Sequence, residues 1–229
     1  DVLRVVRAIR ATFRGVPMIA GNVATGEATE ALIKATQLEM GLHGYETAVR
    51  FLRETTWPKD GRSRVLLNLY YGRSLMNYHQ QYQWEIDQRE KTVSSSAVDL
   101  KAWTRQQIGE EIGKSFDAAS SPGPWLDEPI PESFRSYLVP NDYPEGVRPT
   151  LRAALTYLAV EHLANQHFWT PKEANEIFKL DAGKLASRPP LPRLAAANLR
   201  PHPIERAASW LADLEHVYES AGKAEAAHE

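Results

Sequence analysis

The side chains able to do chemistry in this chain are few and scattered. His162 and His167 stand beside Glu161 on one predicted helix, and two imidazoles with a carboxylate are the raw material of a metal site. A two-histidine metal face needs a spacing of four, whereas five carries the second ring far around the helix axis. The pair therefore reads as packed or surface histidines with no metal. Ser94, Ser95 and Ser96 offer hydroxyls with His79 as a base, but no sharp strand-to-helix elbow surrounds them. Tyr70, Tyr71, Tyr78, Tyr82 and Trp84 form an aromatic stretch able to stack a ligand or grip a peptide, although aromatics at helical spacing more often build a core. Arg4, Arg7, Arg10 and Arg14 line a helix face that could meet phosphate or simply face water. Gly21 and Asn22 precede a helix and could hold an anion, yet the several glycines of a phosphate cradle are missing.

Composition narrows the classes. The chain has 229 residues with 43% hydrophobic content, enough for one large domain or two small ones with a real core. A formal net charge of −2 supplies no global field for nucleic acid or anionic membrane. No cysteine is present, which excludes disulfides, thiolate nucleophiles and sulfur-bound zinc. No stretch approaches the roughly 18 apolar residues of a spanning helix. The first residue is Asp1, and no charged-then-apolar signal segment follows, so the chain reads as a mature or excised piece.

The elements that must position these residues are almost all helical. Val2, Val5, Val6, Ile9 and Phe13 fall at helical spacing, Val16 to Ala20 suits a short strand, and Thr25 is placed to cap a helix that Ala28, Leu32, Ile33 and Ala35 start. Tyr45, Ala48, Val49 and Leu52 give one stripe, ended by the turn Trp57-Pro-Lys-Asp-Gly61. Val65 to Tyr78 give a second, with Gly72 small enough for a neighbouring helix to approach. Ser96 and Asp99 resemble a capping box opening a helix to Phe116, and the prolines after Ser120 mark a subdomain boundary at 120–131. A short helix is expected over 132–138, and Leu151, Leu155, Leu158, His162 and Leu163 mark the longest apolar stripe. Thr170-Pro-Lys-Glu173 is the cleanest helix start, and 183–203 should run extended. Ile204, Ala207, Ala208, Leu211, Leu214, Val217 and Tyr218 define a last helix ending at Gly222.

Two stretches resemble known families. Val16-Pro-Met-Ile-Ala-Gly-Asn-Val-Ala-Thr25, with the helices on either side, resembles a strand and loop of the IMP dehydrogenase barrel. That resemblance implies a nucleotide contact at Asn22 and a cytoplasmic oxidoreductase relic, but the family's thiolate chemistry is unavailable without cysteine. Trp57-Pro-Lys-Asp60, Val98-Asp-Leu-Lys-Ala-Trp103 and Tyr143-Pro-Glu-Gly-Val-Arg-Pro-Thr-Leu-Arg152 look like the helical N-terminal region of large bacterial alpha-2-macroglobulin-like proteins. This second resemblance, over residues 42–229, implies a periplasmic or cell-envelope module ahead of macroglobulin domains.

The expectation is an all-α chain of stacked, degenerate tetratricopeptide-like hairpins with one extended segment at 16–20. It would divide into 1–41, 42–119 and 132–229. It should bind a protein partner or adjacent domains of a longer chain, with no catalysis, cofactor, metal or nucleic acid.

Overall fold

A computed structural model describes residues 22–89, 100–120, 123–128, 150–187 and 201–222. The predicted strand at 16–20, the arginine face of residues 4–14, Ser94 to Ser96 and the helix at 132–138 lie outside these residues. So do Asp99 and the side chain of Asn22. Among the described residues every regular element is helical: α1 (Asn22–Gly41), α2 (Tyr45–Glu54), α3 (Gly61–Arg89), α4 (Arg105–Ala119), α5 (Leu151–Ala164), α6 (Pro171–Glu176), α7 (Ala182–Ala186) and α8 (Pro203–Ser220). None of these helices is long and apolar enough to cross a membrane.

Rich in alanine and unbranched side chains, α1 propagates well, and it buries Leu32, Ile33 and Ala35 while Glu30 and Lys34 pair on the outside at 2.7 Å. It begins at Asn22, so Thr25 lies inside the helix rather than capping one that starts at Ala28. The next hairpin is set by polar devices. The Trp57 indole N–H donates to the Leu52 carbonyl at 2.7 Å, closing the turn after α2, and the Asp60 carboxylate accepts from the Ser63 N–H at 2.9 Å to start α3.

The long α3, about 44 Å from end to end at the usual helical rise, packs against α1, α2, α4 and α5. It bends at Tyr82, where φ is −112° and ψ 20°. Gly72 lies against the Phe116 ring of α4, the close approach its size predicts. The start of α4 differs from expectation: Leu100–Ala102 is a short 3-10 turn, and the helix opens at Thr104, whose hydroxyl and Gln107 form a reciprocal capping box. From there Ile108, Ile112, Phe116 and Ala119 keep a buried stripe facing α3.

Thr150 caps α5, and Leu151, Leu155, Ala159 and Leu163 turn inward. The last helix packs on α5. Its buried side chains include Ala207, Trp210, Leu214 and Tyr218, whereas Leu211, assigned to the apolar face from sequence, is 41% exposed. Gly222 follows with φ +71°, the left-handed residue that ends the helix. Residues 183–186, expected to be extended, belong to α7, which starts at Ala182 under an Asp181 cap. Arg152 ties the segments together by bonding Asp127 and, at 3.0 Å, Asp213. One apolar cluster runs from Leu32 through α3, α4 and α5 to Trp210.

Candidate functional site

A groove of about 500 Å³ opens between α4, the 3-10 turn Gln166–Phe168, α6 and the start of α8. Its α4 side is possible because the capped start at Thr104 places Gly109 and Gly113 four residues apart, one helical turn, on a single face. The two glycines serve different ends. A Cβ on Gly109 would stand 2.8 Å from Phe168 Cδ1, so the ring needs that glycine; a Cβ on Gly113 would meet nothing within 4 Å among the described residues.

The opposite wall is built on aromatic side chains. Trp169 is buried and its indole N–H donates to the Leu163 carbonyl at 2.8 Å, which folds the turn back over the end of α5. Phe168 is held between two imidazoles, His79 of α3 at 4.4 Å and His162 of α5 at 4.9 Å between ring centroids. The Thr170 capping box then launches α6, the Glu173 carboxylate accepting from both the N–H and the hydroxyl of Thr170 at 2.7 and 2.8 Å. His202 joins α6 to α8: one ring nitrogen faces the Glu173 carbonyl at 2.9 Å, and the other accepts from the Ile204 N–H at 3.1 Å as an N-cap. Such a cap needs a bare Nδ1, so Nε2 is the donor to Glu173 and the ring is neutral. Pro201, Pro203 and Arg206 complete the side, and Glu110, Lys114, Asp117, Glu173 and Arg206 give the lining charges of both signs.

His79 and His162, both buried, are held uncharged. Burial pushes the His162 imidazole down to about 4, and the nearby Arg206 adds to this; a hydrogen bond to the Gly109 backbone opposes it only in part. His79 is likewise pushed down to about 4, chiefly by burial, against the pull of Asp87. Nδ1 of His162 and Nε2 of His79 are buried with no hydrogen-bond partner.

This geometry sorts the sequence-predicted residues. His162 and His167 do not share a helix: α5 ends at Ala164, and His167 lies in the following turn, beside the Gln83 amide at 3.2 Å. Glu161 faces away, bonded through both carboxylate oxygens to Arg73. Among the described residues no three His, Asp or Glu side chains converge as metal ligands would. Tyr71 and Tyr78 are core, Tyr70 and Tyr82 pack against it, and only Trp84 of that stretch is largely open, at 75% exposure. Phe168, Trp169, His202 and Arg206 were not singled out from sequence. A readable signal existed: His202-Pro-Ile-Glu205 repeats the Thr170-Pro-Lys-Glu173 pattern, and both form capping boxes.

Comparison of the chain with protein-family models, with curated proteins and with solved structures returned no match.

Proposed function

We propose that this chain is a non-enzymatic helical binding module whose groove grips an extended protein segment, from a partner or from a neighbouring domain of a longer chain. The observation that carries this reading is the construction of the groove. It has an unobstructed glycine floor at Gly113, an aromatic and proline wall, and a lining of mixed charge, with a volume in the range of ligand clefts. An extended backbone can approach a glycine surface closely, and aromatic and proline faces offer apolar area at little entropic cost. Among the described residues the groove's one hydroxyl, on Thr170, is bound to Glu173, and His162 has no carboxylate bonded to orient it. A nucleophile and an oriented base are what acyl or phosphoryl chemistry would need there.

The larger setting we assign is the helical N-terminal region of a bacterial alpha-2-macroglobulin-like cell-envelope protein, built from stacked tetratricopeptide-like hairpins. What supports this is the resemblance itself, together with the part its residues play in the helices. Trp57 closes a turn, Asp60 and Thr150 cap α3 and α5, and Leu100, Trp103 and Leu151 are buried.

The test uses peptide display on the immobilised full chain at pH 7.5, followed by affinity measurements on the enriched peptides. Gly113→Trp fills the floor without touching the core. It should weaken those peptides at least about tenfold, or 1.4 kcal/mol, without lowering the thermal midpoint. Absence of enrichment, or affinity indifferent to Gly113→Trp, refutes the reading.

A further inference from the structure

Four of the chain's seven histidines surround one short segment. Phe168 sits between the rings of His79 and His162; His167 belongs to the segment and meets Gln83; His202 bonds the Glu173 backbone and stands edge-on to Trp169 at 4.9 Å. Three of these contacts work only with uncharged imidazole. An imidazolium at His79 or His162 would put a buried charge against a phenyl ring, and an imidazolium at His202 would turn its capping acceptor toward another N–H.

The surroundings do not rescue such charges. Around His79 the facing charged groups are Asp87, Arg105 and His167, and Arg105 already lies 3.7 Å from the Asp87 carboxylate. Around His162 they are Arg206 and His79, both unfavourable to a second positive charge, and Arg206 is 3.9 Å from Asp117 across the groove. Around His202, the Glu205 carboxylate is committed to the His202 backbone N–H and Glu173 presents its carbonyl. Within the segment Trp169 alone is buried, with its indole on the Leu163 carbonyl; the turn Gln166–Phe168 and α6 contain no buried residue, nor do the turn Ile177–Lys179 and α7 that follow. Hydrating the two rings by lifting 166–176 therefore costs far less than parting α3, α4 and α5, whose apolar stripes form the core.

We infer that residues 166–176 are an acid-released wall of the groove, latched by His79, His162 and the His202 cap and lifted when His79 and His162 take up protons. The effect on ligand binding rests on the reading of the groove as a binding site; the lifting itself does not. His79 and His162 each titrate near 6.5 once hydrated and near 4 in place, which favours the lifted form on the order of a hundredfold per ring at pH 4.5.

Hydrogen exchange by mass spectrometry on the full chain between pH 7.5 and 4.5, corrected for intrinsic exchange, tests this. Protection in peptides spanning 166–176 should fall more than about tenfold while peptides from α3 keep theirs, and His79→Leu with His162→Gln should abolish most of that fall. The inference is overturned if wall and α3 lose protection together, if the wall stays protected at pH 4.5, or if the double variant opens as readily as the parent. Should that variant fail to fold, nitrogen NMR of the parent's imidazoles decides. His79 and His162 must take up protons together with wall exchange, and rings that titrate near 6.5 under a protected wall overturn the proposal. Peptide affinity at pH 7.5 and its loss in Gly113→Trp are measured where the wall is closed, so failure of the latch and failure of the binding reading are separately visible.

Discussion

The contact between Gly72 and Phe116 permits a prediction whose sign depends on packing rather than propensity. Gly72 lies inside α3, where glycine costs about 1 kcal/mol relative to alanine, so Gly72→Ala would stabilise an unpacked helix by that amount. The added Cβ, however, would stand 2.5 Å from Phe116 Cε1 and 3.0 and 3.1 Å from Cζ and Cδ1. Phe116 is 2% exposed and has the His162 ring 6.3 Å away, so the phenyl has little room to swing. Overpacking of this kind costs typically 1–3 kcal/mol, which exceeds the propensity gain and leaves a net loss of about 1 kcal/mol. Gly113→Ala provides the opposite case, since its Cβ meets nothing within 4 Å and the propensity gain of about 1 kcal/mol survives intact. Urea unfolding followed by circular dichroism at 25 °C should move the midpoint down for Gly72→Ala and up for Gly113→Ala, by roughly 0.5 M each at an m-value near 2 kcal/mol/M. In a Phe116→Leu background the overpacking cost of Gly72→Ala should largely vanish and the propensity gain return, giving a coupling energy of about 2 kcal/mol. A raised midpoint for Gly72→Ala in the parent, or no coupling to position 116, would refute the argument that this interhelix contact is at its limit.

The two neutral histidines give a pH dependence of definite sign. Their pKa in the closed fold lies below the open-chain value, so stability is flat above about pH 7 and falls as pH drops from about 6.5 toward 4. The loss is at most about 3 kcal/mol per ring, the proton going to opened or unfolded chain. Unfolding midpoints measured from pH 8 to 4.5 that stay constant would contradict this. Arg152→Ala should cost about 2 kcal/mol, because its largely covered guanidinium bonds both Asp127 and Asp213; Arg73→Ala, which breaks an exposed pair with Glu161, should cost less than about 1 kcal/mol. Equal losses for the two variants in thermal unfolding would overturn that ranking.

Local chemistry was legible where one stretch of chain decides the outcome. Thr170-Pro-Lys-Glu173 opens a helix because a hydroxyl, a proline at the first position and a glutamate at the third act within one turn. The same reasoning missed Thr104 and Gln107, which satisfy the first-turn donors of α4. In α8 Ala207, Leu214 and Tyr218 are buried as the stripe predicts, but Trp210 is buried and Leu211 is not, although a leucine is a natural choice for an apolar stripe. Neighbouring positions on a helix differ by about 100°, so a short stripe admits two phasings until its partner helix is known. The groove was illegible for a related reason. Gly109, Phe168 with Glu173, and His202 come from three separated segments, and nothing local announces that an imidazole will cap α8 while bonding α6.

The two glycines of α4 carry the remaining argument about purpose. One face of α4 is spent on the core through Ile108, Ile112 and Phe116, and the adjoining face carries Gln106, Gly109, Gly113 and Asp117 into the groove. Gly109 is explained by folding, because the Phe168 ring occupies the space a side chain would need. Gly113 is not: no atom of the described residues lies within 4 Å of the Cβ it lacks, it sits in mid-helix with no positive φ, and alanine there would stabilise the helix by about 1 kcal/mol. A residue that breaks a local rule without a compensating contact marks a position answering to something outside the fold. At Gly113 the only thing gained is open space at the floor of the groove, which is what an extended chain lying across α4 would use.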